Sequence, residues 1–322
     1  MRQVRSSAPA KVILFGEHFV VAGRPALVTA IDRRAYVTCS PRSRGILVRS
    51  GRSMVLWDRG RVVEGSSQVV NSLRPYQVMA RTILEEHGGV EGVELEIMSE
   101  IPRGAGLGSS ASVAVASAKA LTTMLGVDNS SEAVIRYAMT CEKMIHGRPS
   151  GIDVHIAAAG GTLLYRSSSD WTSFTHNISP GILVIDSGGR RGTGKMVESV
   201  QTFVRNKPAE FQELTHVYDE LLKESIEAIE ASNLRRVGMC MNINQMLLRL
   251  LGVSSNSIER AINSAISAGA YGAKLTGAGG GGCVIAVGEA DVMRRAAEAL
   301  AKKYAGSWLA AVAVEGVRVE NA

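Results

Sequence analysis

The sequence predicts an α+β protein of two domains. Its 322 residues are enough for one large or two ordinary domains. Strand patterns gather in the first half and helix patterns in the second, so the two kinds of element are segregated, not alternating. A content of 46% hydrophobic and 20% charged residues is that of a globular chain.

Val12-Ile13-Leu14-Phe15 is a short buried-strand run, and Tyr36–Cys39 and Ile46–Val48 are further strands, separated by turns from Pro41 to Gly45 and at Gly51. A helix is expected from about Asn71 to His87, where Gly88-Gly89 stops it. Val93–Ile97 reads as a strand. The capping signal Ser130-Ser131-Glu132 starts a helix that runs to about Ile145, and Gly147 and Pro149 break it. Gly161–Tyr165 and Gly181–Asp186 read as strands on either side of a polar loop or hairpin at 166–177. Helices follow at about 193–205, 208–231, 233–251 and 255–268. Ala273–Thr276 and Cys283–Val287 flank a glycine loop, and a helix at about 289–304 and a strand at about 308–314 close the chain. The expected domains are 1–178 and 179–322.

The balance of 36 basic against 30 acidic side chains gives a formal charge of +6, which suits an anionic small molecule. The charges are dispersed and not interleaved with aromatic residues, so no nucleic-acid partner is expected. Cys39, Cys141, Cys240 and Cys283 form no C-x-x-C pair, which argues against a zinc site and for a reducing compartment. No run approaches the roughly 20 apolar residues of a membrane span. The expectation is a cytoplasmic protein without a membrane partner.

The chain is organised around Ile-Pro-Arg-Gly-Ala-Gly-Leu-Gly-Ser-Ser-Ala-Ser at 101–112. Gly104, Gly106 and Gly108 permit a tight turn and close approach of a ligand. Ser109 and Ser110 stand where a helix should begin, with Ser a good N-cap, and Val113, Ala116, Ala120, Leu121 and Met124 form an apolar stripe behind them. Strand, glycine loop and helix N-terminus make an anion site, with phosphate as the natural guest. The G-x-G-x-G spacing is neither the dinucleotide fingerprint nor a Walker A loop. A second candidate, Gly189-Arg-Arg-Gly-Thr-Gly-Lys-Met196, fits G-x-x-x-x-G-K but ends in Met196, which cannot coordinate magnesium as Ser or Thr would.

Three further stretches carry chemistry. Lys11-Val-Ile-Leu-Phe-Gly-Glu-His18 puts Glu17 and His18 at the end of a strand, where both can converge on a ligand. Glu142-Lys-Met-Ile-His-Gly-Arg-Pro-Ser-Gly-Ile-Asp153 puts two carboxylates on opposite sides of a turn, one suited to a metal and one to a proton; a surface Glu and an N-cap Asp would look the same. Lys274-Leu-Thr-Gly-Ala-Gly-Gly-Gly-Gly-Cys283 is a second glycine loop, with so little side-chain bulk that its backbone suits packing against a ligand or another loop.

Together these stretches, in this order and spanning residues 8–287, resemble the three signature motifs of the GHMP kinase superfamily, and within it the mevalonate kinase branch most closely. Ala10, Ala22 and Arg148 depart from the usual pattern. The resemblance implies a ribosomal-S5-like N-terminal domain, a ferredoxin-like C-terminal domain, and ATP-dependent phosphorylation of the primary hydroxyl of mevalonate. It implies Asp153 and Lys11 as catalytic residues, with Arg103, Gly104, Ala105, Gly106, Leu107, Gly108, Ser109 and Ser110 cradling the ATP phosphates. It places Mg²⁺ on Ser110 and Glu142, and Glu17, His18, Ser150 and Thr193 at the substrate, with Arg148, Arg166, Arg190 and Arg191 as candidates for the substrate carboxylate. A homodimer is a possible assembly. Galactokinase is a weaker match, because Val20 stands where that branch has a sugar-binding Asp. Phosphomevalonate kinase and a non-catalytic metabolite sensor are the remaining alternatives.

Overall fold

The computed structural model describes residues 2–147, 149–175, 181–189 and 192–321, and of Thr193 the backbone alone. The first half contains β1 (Val4–Phe15), a 3₁₀ turn at Val20–Ala22, β2 (Ala26–Arg42), β3 (Gly45–Ser50), β4 (Ser53–Asp58), β5 (Arg61–Glu64), α1 (Ser67–His87), β6 (Gly92–Ser99), α2 (Ser109–Leu125), α3 (Ser131–His146), α4 (Ile152–Ala159), β7 (Thr162–Ser167) and β8 (Asp170–Ser173). The second half contains β9 (Ile182–Asp186), α5 (Thr193–Asn206), α6 (Pro208–Glu230), α7 (Leu234–Leu250), α8 (Asn256–Ser267), β10 (Gly272–Leu275), β11 (Cys283–Val287), α9 (Ala290–Ala301), β12 (Gly306–Ala310) and β13 (Arg318–Val319).

Two sheets result. The larger runs β13-β1-β2-β6-β3-β4-β5, with the β7–β8 hairpin attached to the start of β2. Its pairs are antiparallel except β3 with β6. The smaller runs β10-β11-β9-β12, antiparallel throughout. In the order of its own strands that is 2-3-1-4, the ferredoxin-like arrangement that was expected. The α+β class holds because the helices pack on sheets that are antiparallel in all but one pair, with α1 lying in the connection between the parallel strands β3 and β6.

The expected boundary between 178 and 179 lies outside the described residues. The chain end is shared, however. β13 pairs with β1 at Ser6↔Val319 and Ser7↔Arg318, and Val312 bridges to Ile31. Arg34 fastens this return: buried, it donates to the Ser7 hydroxyl at 2.7 Å, to the Glu315 carbonyl at 3.2 Å and to the Gly316 carbonyl.

Helix α2 is the hub of the larger domain. It was expected to be amphipathic, with one apolar stripe. Instead Ala111, Ala114, Val115, Ala116, Ala118 and Ala120 are all fully buried. Its small hydroxyl residues allow this. Ser112 donates to the Pro9 carbonyl at 2.7 Å, which ties the helix to β1, and Thr122 donates to the Ala118 carbonyl at 2.8 Å. Ser and Thr in an alanine-rich helix therefore need not mark a solvated face, since a hydroxyl can be satisfied by a nearby carbonyl. Beneath α4 lies a second, small core of Ile13, Ala26, Val28, Ala30, Ile152, Ile156, Leu163 and Tyr165.

Replacing Arg34 with Ala leaves the Glu315 and Gly316 carbonyls without their buried donor. The expected cost is about 1–3 kcal/mol of stability, with faster amide exchange confined first to residues 312–320. Denaturant titration and hydrogen exchange read the two effects; unchanged exchange in that segment would show that Arg34 does not hold it.

Candidate active site

The site begins with two glycine loops packed backbone to backbone. The loop between β6 and α2 holds Gly104, Gly106 and Gly108 at φ of 66°, 80° and 74°, a region that disfavours side chains. A Cβ on Gly106 would stand 2.9 Å from the Thr276 carbonyl oxygen. On Gly282 it would stand 2.8 Å from the Ala105 carbonyl oxygen. The Cys283 amide donates to that same carbonyl at 3.0 Å. The second loop thus meets another loop, as its lack of bulk suggested.

The first loop then enters α2, and here one expectation fails. The N-cap is Gly108, in the left-handed conformation, with no side-chain capping bond, and Ser109 is the first helical residue. A left-handed cap residue is easiest for glycine. With no side-chain cap, the first-turn N–H groups are left to face the cleft beside the loop, a ready anion site.

Lys11 sits beneath this loop. Its amide donates to the Leu107 carbonyl at 3.0 Å, and its ammonium pairs with Asp153 Oδ1 at 3.1 Å. A Cβ on Gly108 would lie 3.0 Å from Lys11 Cγ, so the missing side chain makes room for the lysine stem. Asp153 lies in the first turn of α4, whose N-cap is Gly151 at φ 85°, so it is not itself the cap. The turn before it is braced from β7: the Tyr165 hydroxyl donates to the Ser150 carbonyl at 2.6 Å. His155 Nδ1 lies 2.8 Å from the Gly151 carbonyl, which can only accept, so that nitrogen carries a proton.

Glu142 is strongly perturbed. Burial and the charge of Asp153 push its carboxyl up to about 7, while Ser110 and Lys11 pull the other way. Its Oε1 is buried without a hydrogen-bond partner, and His146 approaches Oε2 at 3.6 Å. An acceptor-only oxygen left without a donor fits a cation, and Ser110, in the first turn of α2, supplies a second hard oxygen. The described residues contain no cluster of three or more His, Cys, Asp or Glu side chains that could hold a metal, so any Mg²⁺ here needs most of its ligands from phosphate and water.

Glu17 is fully buried and paired with Lys274, which also donates to the Leu275 carbonyl at 2.8 Å. Burial raises the Glu17 carboxyl and lowers the Lys274 ammonium from their ordinary values, each opposed by its partner. This pair joins the two domains, and Lys274 was not among the expected site residues. A lysine in the middle of an apolar strand run, Ala273-Lys274-Leu275, was the available signal. His18, at φ 64°, places Nε2 at 2.9 Å from the Ala278 carbonyl. Thr276 completes the bridge by accepting from the Ile13 amide at 2.8 Å.

These residues line one cleft of about 930 Å³. Lys11, Glu17, His18, residues 103–110, Glu142, Ser150 and Asp153 all border it, as do the apolar side chains of Val20, Val21 and Val197. Leu73 and Tyr76 of α1 and Ile97 of β6 also border the cleft. The Arg103 side chain reaches Ser50. Arg166 is instead paired with Asp170 within the β7–β8 hairpin at 3.5 Å. Arg148, Arg190, Arg191 and the side chain of Thr193 lie outside the described residues.

Residues 74–161 match the family model for the GHMP kinases N terminal domain, and residues 225–306 that for GHMP kinases C terminal. The mevalonate kinase of Aeropyrum pernix is 39% identical, across 99% of this chain and 99% of its own. That of Archaeoglobus fulgidus is 35% identical across 98% and 99%. Among solved structures, L. major mevalonate kinase in complex with R-mevalonate superposes with a TM-score of 0.80 at 27% identity, covering 97% of this chain and 96% of its own. A Lactococcus lactis galactokinase with galactose superposes equally well, at 0.81, but with 17% identity over 98% and 95% it shares the fold alone.

Lys274→Met leaves the Glu17 carboxylate buried and unpaired, which should destabilise the protein by about 3–5 kcal/mol, with Glu17→Gln in the same chain restoring part of the loss. Urea unfolding of the two variants tests the coupling, and strictly additive losses would refute it. For Glu142 the sign runs the other way from an ordinary salt-bridged acid. Its folded pKa, about 7, lies above the ordinary 4.5, so its contribution to stability is full below pH 4.5 and is lost as pH rises through 7. Glu142→Gln should therefore be more stable than the parent protein at pH 8, by up to about 3 kcal/mol, and should gain nothing at pH 4. Thermal melts without nucleotide or divalent cation measure this; equal melts at pH 8 would show that the carboxylate is not strained.

Proposed function

Because the chain belongs to the GHMP kinase family, we propose that it transfers the γ-phosphoryl group of ATP to the primary hydroxyl of mevalonate, giving 5-phosphomevalonate and ADP. The observation that carries the reaction is the Lys11–Asp153 pair at 3.1 Å, set directly under a glycine loop and an uncapped helix N-terminus. The substrate rests on the full-length similarity to mevalonate kinases and on the apolar wall at Val20, Val21 and Val197, which suits a methyl-bearing carbon chain better than a polyol.

In this reading the backbone of 103–110 holds the triphosphate, and the Lys11 ammonium, paired with Asp153 at 3.1 Å, offsets negative charge beside incoming phosphate. Asp153 orients the primary hydroxyl and takes its proton as the oxygen attacks phosphorus in line. Lys11 also offsets the negative charge that develops on that oxygen. Glu142 and Ser110 would hold Mg²⁺, which when bound neutralises phosphate charge. Glu17, fixed by Lys274, and His18, fixed by Ala278, shape the acceptor end together with Ser150, and Thr193 is assigned there by the family pattern. Little covalent chemistry falls to the protein; positioning and charge neutralisation do most of the work. The larger sheet with its helices and the ferredoxin-like unit act as the two jaws of the cleft, with the division of the chain near 178/179.

The test is ADP release with Mg-ATP and, separately, mevalonate, phosphomevalonate and galactose. Turnover is expected with mevalonate alone. Asp153→Asn should lower kcat by about 10²–10⁴-fold with ATP binding retained. Turnover with another acceptor only would discard the substrate, and parent-like turnover of Asp153→Asn would discard the role of Asp153.

A further inference from the structure

A second cavity, of about 280 Å³, lies beside the cleft. Its apolar walls are Val21 and Ala22 of the 3₁₀ turn, Val197, Val200 and Val204 of α5, and Phe211 of α6. The three valines recur at steps of three and four, so they share one face of their helix. An amphipathic helix ordinarily buries such a stripe against a core. Here Val200 alone among the described residues of α5 is buried, and the stripe lines a cavity instead. Opposite it Ala22, one of the positions at which the chain departs from the family pattern, adds only a methyl group to the wall.

We propose that this cavity extends the acceptor site, and that the chain phosphorylates homologues of mevalonate in which an ethyl, propyl or butyl group replaces the methyl on carbon 3. The inference rests on the proposed function and deepens it. Three observations select that occupant. First, His18, Val21, Val197 and Gln201 border both the cavity and the cleft, so the two spaces meet at the acceptor end. Second, about 280 Å³ is less than the roughly 300–1,000 Å³ of a separate ligand site, yet it equals the share of roughly nine waters. That is room for a short branch on a molecule held in the cleft. Third, polar groups of the lining are already engaged. His18 Nε2 lies 2.9 Å from the Ala278 carbonyl, and Arg205 donates to the Thr202 hydroxyl at 3.0 Å. The walls therefore shelter hydrocarbon from water, and they offer a polar or charged branch little in exchange for its hydration.

The reaction itself is unchanged by the branch. The 5-hydroxyl oxygen bonds to the γ-phosphorus of ATP, and the bond from that phosphorus to the β,γ-bridging oxygen breaks. ADP leaves with that electron pair, and the hydroxyl proton passes to Asp153. Lys11, Asp153 and the loop at 103–110 do not border the cavity, so a branch can lengthen there without displacing them.

Initial rates of ADP release with Mg-ATP and mevalonate, or its 3-ethyl, 3-propyl and 3-butyl homologues, test this. The propyl homologue should turn over with kcat/KM within about tenfold of that for mevalonate. Val204→Phe on α5 and Ala22→Leu on the turn fill the cavity from opposite sides, and neither residue borders the cleft. Each should lower kcat/KM for the propyl homologue about tenfold or more, and leave that for mevalonate within about twofold. Turnover of mevalonate without turnover of any homologue would overturn the inference and leave the reading of the reaction standing. Failure with mevalonate itself would overturn both. Homologue turnover that both variants leave intact would overturn the inference as well. So would parallel losses on mevalonate and homologue with unchanged thermal melts, since the cavity would then be space that α5 needs during the ordinary reaction.

Discussion

The contact on which the site depends is backbone against backbone. Two loops from different domains approach until Gly106, Gly277 and Gly282 have no room for a side chain: a Cβ on Gly277 would lie 3.0 Å from the Gly106 carbonyl oxygen. That closeness aligns the loop before α2 with β10, which carries Lys274, and hence with Glu17 and His18. It also explains why the second loop supplies no reacting side chain. Its task is to let the first loop lie flat beside it, and any bulk would prise the domains apart. The amide of Cys283, donating to the Ala105 carbonyl, and the hydroxyl of Thr276, accepting from the Ile13 amide and donating to the Ile13 carbonyl, then fix the register.

Charge in the cleft follows a second constraint. Among the described residues, two lysines and two glutamates are almost wholly buried there, Lys11, Glu17, Glu142 and Lys274, together with His18. Removing a charge from water is costly unless it is paired. Glu17 has Lys274, and Lys11 has Asp153. Glu142 has His146 at 3.6 Å from Oε2 and no hydrogen-bond partner on Oε1, and burial with the charge of Asp153 raises its carboxyl. A protein selected for stability alone would place a neutral residue there. The unpaired oxygen is best understood as a socket for positive charge that arrives with a ligand, with the strain held by the closely packed surroundings.

Much of this was legible in the sequence because it depends on local chemistry. The helices from 193 to 268 were placed to within a few residues, since each pattern has a long apolar period and a clear stop. The glycine loops, Lys11, Glu142 and Asp153 stood out by residue type and spacing. What escaped was set by distant partners. Strand β5, at the open edge of the larger sheet, is exposed throughout and so has no burial to create a pattern, and β13 is too short to have one. The cap at Gly108 was hidden by two serines that are individually better caps. Lys274 was passed over because nothing in its own neighbourhood shows that Glu17, 257 positions away, will bury beside it.

The same reasoning separates what the fold determines from what the substrate requires. A galactokinase shares the architecture at 17% identity, so loop packing and the phosphate site cannot by themselves select an acceptor. Selection has to come from side chains at the other end of the cleft. There the 3₁₀ turn at Val20–Ala22 follows one residue after His18, and Val20, Val21 and Val197 of α5 border the cleft. The turn is short and is pinned by amide bonds to Gly16, His18 and Phe19 carbonyls, so its side chains are presented from a rigid base. Behind it Phe19 stacks on Tyr218 of α6, with ring centroids 4.2 Å apart. In the proposed reading, acceptor selectivity rests on a few apolar side chains of this turn, which the Phe19–Tyr218 stack braces from α6. A fixed arrangement of phosphate loop, Lys11 and Asp153 can therefore serve different alcohols when only that turn and the facing helix change.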